Sequence, residues 1–244
     1  LVLHGCGGNP SNQLNSDTFQ QNFASANDQI LISPWGRGLQ GFYSDDSERD
    51  VLDVMDDALQ TFDIDHDRVN IAGYSMGGYG TLRFAALFPD RFASLVDWVG
   101  PLGEATDTPL PGNPLTAVAT TPPLTGAPFA GAIGNMTNHL GNLRHVPGVY
   151  LYSGADYLVP LGISSTVLTR LQQEPGLQFD FYLHPAAEHM SYYFLDDWRK
   201  ESSGLGKARR MINPPRVSYR TDPRIGNERL SIRHDKAYWV DRKS

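Results

Sequence analysis

Residues 69–79, VNIAGYSMGGY, constrain what this chain can fold into more than any other stretch. The apolar run 69–72 reads as a short buried strand. Gly73, Tyr74, Ser75, Met76 and Gly77 then spell G-x-S-x-G, and a helix-compatible run over 78–88 follows until Pro89 stops it. A strand that turns sharply into a helix holds the serine at its apex. Glycine on both flanks suits a strained turn packed too tightly for side chains, with the hydroxyl held out into a cleft. A five-residue pattern of this kind also arises by chance, so the surrounding segments have to decide.

Those segments alternate between strand and helix. Residues 1–3 read as a strand running into HGCGG at 4–8, 19–26 as a short helix, and 30–32 as another strand before Pro34. A Gly-rich and aromatic loop over 35–46 precedes a helix capped by Ser47. Its apolar positions Val51, Val54, Met55, Ala58, Leu59 and Phe62 recur at helical spacing, and Glu48 and Asp50 sit where the helix dipole favours anions. Strands follow at 94–99, 148–153 and 178–183, helices at 164–173 and 190–197, and an irregular excursion rich in Pro, Gly and Thr at about 100–132. This order predicts an α/β domain over 1–212, a mostly parallel sheet with helices on both faces. Residues 213–244 change grammar: 216–222 and 229–240 carry period-2 stretches and predict an antiparallel β-hairpin.

Charge and cysteine content narrow the chemistry. The net charge of −7 conceals an asymmetry: from Arg199 onward there are 13 Lys and Arg against 5 Asp and Glu, with 7 against 22 before it. The basic tail carries no recognised nucleic-acid motif, so nucleic acid is not an expected partner, and no apolar run reaches membrane-spanning length. Cys6 is the only cysteine, which excludes an intrachain disulfide and a cysteine-based zinc site. His184, Glu188 and His189 are spaced H-x-x-x-E-H, which fits neither zinc helix motif, and Pro185 opposes a helix there. No metal or other cofactor is expected.

A serine hydroxyl is a poor nucleophile near neutral pH. Acyl transfer therefore requires a histidine to take its proton, an acid to orient that histidine, and donors for the oxyanion. In the chain order serine, acid, histidine, the candidates are Ser75, Asp156 in GADYLVP after strand 148–153, and His189 in HPAAEHMSYY after strand 178–183. Asp97 and Asp180 are rival acids within strands, and His184 is a rival base. The backbone N–H groups of Met76, after the serine, and of Cys6, in the glycine-rich loop, are the candidate oxyanion donors, with the Cys6 side chain expected to be a small buried filler. An apolar, aromatic pocket is expected to draw on Trp35, Phe42 or Tyr43, Tyr74 and Met76, Tyr157 and Leu158, and Met190 with Tyr192.

HGCGG at 4–8, the run 65–93 around the serine, GADYLVP at 154–160 and AEHMS at 187–191 together resemble the α/β-hydrolase superfamily. Within it, the likeness is to the catalytic domains of the prolyl-oligopeptidase-like (S9) group and to related extracellular esterases and polyester depolymerases. The resemblance covers about residues 1–200 and implies Ser75 as nucleophile, Asp156 as acid, His189 as base, and Met76 with Cys6 as oxyanion donors. It implies a serine hydrolase acting on carboxylic esters, small or polymeric, with a serine peptidase as the alternative and a non-catalytic binding module as a third reading. Members usually have two strands before the HG segment, and the peptidases an N-terminal propeller. Opening at Leu1 inside a core strand, the chain is expected to have lost an upstream segment, and the extracellular relatives imply a secreted protein. The basic tail is expected to join a β-rich layer completed by that segment and to be held to the acidic body by interactions that salt weakens.

Overall fold

The computed structural model describes residues 1–38, 41–103, 133–195 and 198–241. The expected excursion therefore lies, from residue 104 onward, outside the described residues. Five parallel strands form one sheet in the order β1 (Val2–Leu3), β2 (Asn70–Tyr74), β3 (Ser94–Trp98), β4 (Gly148–Ser153) and β5 (Phe179–His184). The register pairs Ala72 with Val96, Val96 with Val149 and Tyr150 with Phe181. Successive residues of these strands feed opposite faces, as the pleat requires. Leu3, Ile71, Leu95 and Tyr150 join one core with Val51 and Met55 of helix α3 (Asp46–Thr61), Leu82 of α4 (Met76–Leu87) and Val167 of α5 (Leu161–Gln173). Val2, Ala72, Val96 and Leu151 join a second core with Phe19 and Phe23 of α2 (Asp17–Phe23), which follows the one-turn α1 (Ser11–Leu14), and with Trp198.

Helix α4 is buried at every position, so it carries the serine turn through the middle of the protein. Only glycine fits where it crosses the sheet: a Cβ on Gly77 would stand 2.0 Å from Leu3 O, and one on Gly78 would stand 2.3 Å from Asp97 Oδ1. The one charge on α4, Arg83, is neutralised internally. Its Nη2 lies 2.7 Å from Glu48 Oε2 on α3, and His234 from the tail donates to the other Glu48 oxygen.

Several local expectations are corrected. Residues 30–32 form no strand; they run beside β1 with one backbone bond, Val2 N–H to Ile32 O at 2.8 Å, and Ile30 is exposed. Ser47 does not cap α3. The N-cap is Asp45, while Ser47 sits in the first turn and donates to Gly36 O at 2.5 Å.

Among the described residues, the antiparallel β pairing of the tail comprises β6 (Lys236–Ala237) with β7 (Val240–Asp241) and one isolated bridge, Asn227 to Ile232. Residues 216–222 do not pair with it, because side chains of the body satisfy that backbone. The Asn142 amide donates to Arg220 O at 2.9 Å and accepts from Arg220 N–H at 2.7 Å, and His145 Nε2 donates to Arg216 O at 2.7 Å. A side-chain amide thus does what a neighbouring strand would do. The Tyr219 hydroxyl donates to Leu87 O at 2.8 Å, and Ile225, Ile232 and Ala237 are buried. The tail is also tied to acidic side chains of the body through Arg209 to Asp65, Arg210 to Asp67 and Arg229 to Asp46.

Candidate active site

Ser75 lies at the carboxyl end of β2 with φ 57° and ψ −113°, a backbone that an L-residue adopts only under strain. The turn is held from both sides: Ser75 N–H donates to Trp98 O at 2.8 Å, and Ser75 O accepts from Tyr79 N–H at 3.0 Å in the first turn of α4. The loops after β4 and β5 bring two further side chains over it. His189 Nε2 is 2.9 Å from Ser75 Oγ, and His189 Nδ1 is 2.7 Å from Asp156 Oδ2. The second Asp156 oxygen accepts from Leu158 N–H and Val159 N–H, both at 2.8 Å, so the carboxylate is pinned before it meets the imidazole. All three side chains are buried. An imidazole that accepts from a hydroxyl while donating to a fixed carboxylate is held in the tautomer that can take the hydroxyl proton.

The rival candidates stand elsewhere. Asp97 is fully buried within β3, where Oδ1 accepts from Gly100 N–H at 3.0 Å and Oδ2 from the Tyr152 hydroxyl at 2.7 Å. Burial pushes its pKa up to about 7 against the pull of those two donors. Asp180 is exposed on β5, and the His184 ring packs edge-on against Tyr192 at 5.3 Å. Among the described residues no cluster of His, Cys, Asp and Glu is arranged to hold a metal ion.

The glycine-rich loop lies directly against the serine turn. A Cβ on Gly5 would be 3.2 Å from Tyr74 O and 3.6 Å from Ser75 Cβ. Gly5 O is tethered by Gly8 N–H at 3.0 Å and lies 2.9 Å from His4 Nδ1. In a trans peptide the carbonyl and the following N–H point in opposite directions, so the tether turns the Cys6 N–H away from His4 and Gly8. Met76 N–H, the first of α4, has no intrahelical acceptor. The His4 side chain is thereby part of the site's construction: its Nε2 lies 3.0 Å from Trp35 O, and the neutral ring donates to one of the two carbonyls at a time. The sequence reading missed it, and the HG dipeptide was the one available signal. The Cys6 side chain is exposed, not the buried filler expected.

The expected pocket divides by burial. Trp35 (49% exposed), Tyr157 (59%) and Met190 (43%) stand at the surface. Phe42 and Tyr43 do not: both are core residues, Phe42 against Tyr79 and Tyr43 donating to His4 O at 2.8 Å. Tyr192 is buried, donating to Tyr152 O at 2.7 Å, and Leu158 packs partly into the main core. Tyr74 and Met76 are buried in the turn itself, with the Tyr74 ring edge-on to the His189 ring at 5.5 Å. A cavity of about 350 Å³ lined by Leu1, Ile30, Met55 and Asn70 opens at the amino ends of the strands, remote from Ser75 at their carboxyl ends.

Residues 33–201 match the family described as the prolyl oligopeptidase family, Peptidase_S9. No curated protein matches the chain. Among solved structures it is similar to the fluorophosphonate-binding serine hydrolase F of Staphylococcus aureus, with 20% identity over 84% of this chain and 82% of that one at a TM-score of 0.63. It is also similar to an S-formylglutathione hydrolase from Agrobacterium tumefaciens (16% identity, 85% and 82% covered, TM-score 0.65) and to a ferulic acid esterase (15%, 84% and 83%, 0.64). At these identities the likeness is one of fold.

Proposed function

Since this chain belongs to the prolyl oligopeptidase family and is a serine hydrolase with the α/β-hydrolase fold, we propose that it cleaves carboxylic esters through an acyl-enzyme on Ser75. The observation that carries the proposal is the hydrogen-bonded series Ser75 Oγ, His189 and Asp156, at 2.9 and 2.7 Å. Ser75 Oγ attacks the ester carbonyl carbon as His189 Nε2 takes its proton, and Asp156 stabilises the imidazolium that forms. The carbonyl oxygen becomes an oxyanion that accepts from Met76 N–H and Cys6 N–H. Collapse breaks the carbon–oxygen bond to the alkoxide, which leaves with the proton returned by His189. Water, deprotonated by the same histidine, then releases the acid and restores Ser75. Trp35, Tyr157 and Met190 supply exposed apolar surface near this chemistry, which favours acyl or aromatic groups over charged ones.

One feature favours esters over peptides: the chain is similar over most of its length to an S-formylglutathione hydrolase and a ferulic acid esterase. Family membership is the specific reason to keep a serine peptidase as the second reading. The test is hydrolysis of p-nitrophenyl butyrate against aminoacyl p-nitroanilides, with fluorophosphonate labelling of Ser75. Ester turnover that Ser75→Ala removes is expected. Faster anilide cleavage would give the peptidase reading, an unlabelled protein would make it a binding module, and Ser75→Ala retaining more than about a thousandth of kcat would remove Ser75 as nucleophile.

A further inference from the structure

We propose that Tyr74 is a positioning residue for the base, tying the loop that carries His189 to the strand that carries Ser75; this rests on the reading of Ser75 and His189 given above. Tyr74 is the last residue of β2, adjacent to Ser75, and its side chain is buried. Its hydroxyl donates to the backbone carbonyl of His189, 115 positions along the chain, and also lies 3.9 Å from Met190 Sδ. Its ring meets the His189 imidazole edge-on at 5.5 Å, with an interplanar angle of 65°, and is backed by the Tyr193 ring at 5.9 Å. One side chain therefore contacts both the ring and the backbone of the proposed base. Asp156 holds the imidazole from the Nδ1 side alone, whereas Tyr74 holds the residue that presents it.

The anchor is rigid where it begins. β2 is paired along its whole length with β3, from Asn70 opposite Ser94 to Tyr74 opposite Trp98, and every one of its residues is buried. The loop it reaches is not paired in this way: His189 lies between β5 and the short helix α6 (Ser191–Leu195), and Met190 and Phe194 there are exposed. Burial, with the nearby Asp156 charge adding to it, raises the Tyr74 phenol far above its ordinary range, so the hydroxyl remains a donor at every working pH. The distance from His189 Nε2 to Ser75 Oγ thus depends on a contact that starts one residue from Ser75 itself. Displacing a catalytic group by about 1 Å can cost on the order of a hundredfold in rate, so a loosened tether should appear in turnover, not in binding.

Tyr74→Phe keeps the ring contact and removes the tether. Well below each protein's melting midpoint, it is expected to lower kcat for p-nitrophenyl butyrate about tenfold with KM within about twofold, and to slow fluorophosphonate labelling of Ser75 by the same factor. Tyr219→Phe is the control, because that hydroxyl also donates to a backbone carbonyl, Leu87 O, in the tail and away from the site. It is expected to lower the melting temperature while leaving kcat and labelling unchanged. A Tyr74→Phe enzyme with wild-type kcat and labelling rate overturns the proposal, as does a loss carried wholly by KM or one that Tyr219→Phe reproduces. Ser75→Ala assayed alongside separates the two failures: if it remains active the underlying assignment is wrong, and if it is dead while Tyr74→Phe is normal only the tether is refuted. Should Tyr74→Phe fail to fold, Tyr74→Met, which also removes the hydroxyl that donates to His189 O, decides through the downfield proton of the His189–Asp156 hydrogen bond, which it is expected to shift or broaden; an unchanged signal counts against the tether.

Discussion

Replacing Glu48 by Gln tests the buried charge system that joins α3, α4 and the tail. The Glu48 and Arg83 side chains are 1% and 3% exposed and 2.7 Å apart, and His234 donates to the second carboxylate oxygen. Removing one partner of a buried pair typically costs about 3–5 kcal/mol, because the other charge stays buried without compensation. Gln keeps an oxygen that can still accept from Arg83, so the lower end, about 3 kcal/mol, is the expectation. In a domain of this size each kcal/mol shifts the melting temperature by about 2–4 °C, which gives a fall of about 6–12 °C at pH 7, measured by circular dichroism. Turnover at 25 °C should be unaffected in the protein that remains folded. The pH dependence carries a sign. Burial pushes the Glu48 pKa up, but Arg83 and then His234 outweigh it, so the folded value lies below the unfolded one. The stabilisation is therefore complete above the unfolded carboxyl pKa of about 4.3 and is lost as pH falls through the folded value, where wild type and variant should converge. A shift below about 2 °C at pH 7 would refute the reasoning. So would a Glu48→Met, Arg83→Met double variant no more stable than Glu48→Gln, since removing both charges should relieve the penalty that removing one creates.

Asp97→Asn should be tolerated, because the Tyr152 hydroxyl lies 2.6 Å from Gly100 O as well as beside Asp97 and can turn to accept an amide N–H. The folded pKa of about 7 lies above the unfolded value, so the Asp97 contribution falls as pH rises from about 4 through 7; urea melts should show the variant gaining on wild type over that interval, and an inactive variant would reopen the assignment of Asp156. Tyr157→Ala should raise KM for bulky aromatic esters more than for acetate esters in steady-state assays, and equal effects would remove Tyr157 from the substrate surface. Limited proteolysis should leave residues 213–241 protected at both low and high salt, since Ile225, Ile232, Ala237 and the buried His234 contact hold the tail in addition to its ion pairs; rapid release at high salt alone would show that the ion pairs by themselves hold it.

What could be read from the sequence were features set by near neighbours. The serine turn was legible because strand, glycines and helix are contiguous, and β4 was legible to the residue because GVYLYS is apolar, β-prone and bounded by Pro147 and Gly154. That Asp156 and His189 meet at Ser75 was legible because each follows a strand in a short loop. What failed depends on partners far along the chain. Residues 30–32 have the composition of a strand but form a single ladder bond, and the alternation of 216–222 reflects a segment laid on Asn142 and His145 instead of on another strand. Phe42 and Tyr43 looked like pocket residues by proximity to the aromatic loop, yet both carry positive φ and turn into the core. Tyr74 has the composition and position of a pocket-lining residue. Its reach to His189 spans a separation that no local pattern encodes.

The exposed Cys6 gives this protein a chemical handle that needs no mutagenesis. It is the only thiol in the sequence, and it directly follows Gly5, which packs against Ser75 Cβ. A maleimide dye would attach at one position, beside the reaction centre, and its emission would follow the arrival of substrate and the departure of product in real time. Partial burial raises the thiol pKa, with the Gly7 N–H opposing, so attachment is slow at neutral pH and faster in mild alkali. The reporter would sit on the loop that lies against the Ser75 turn.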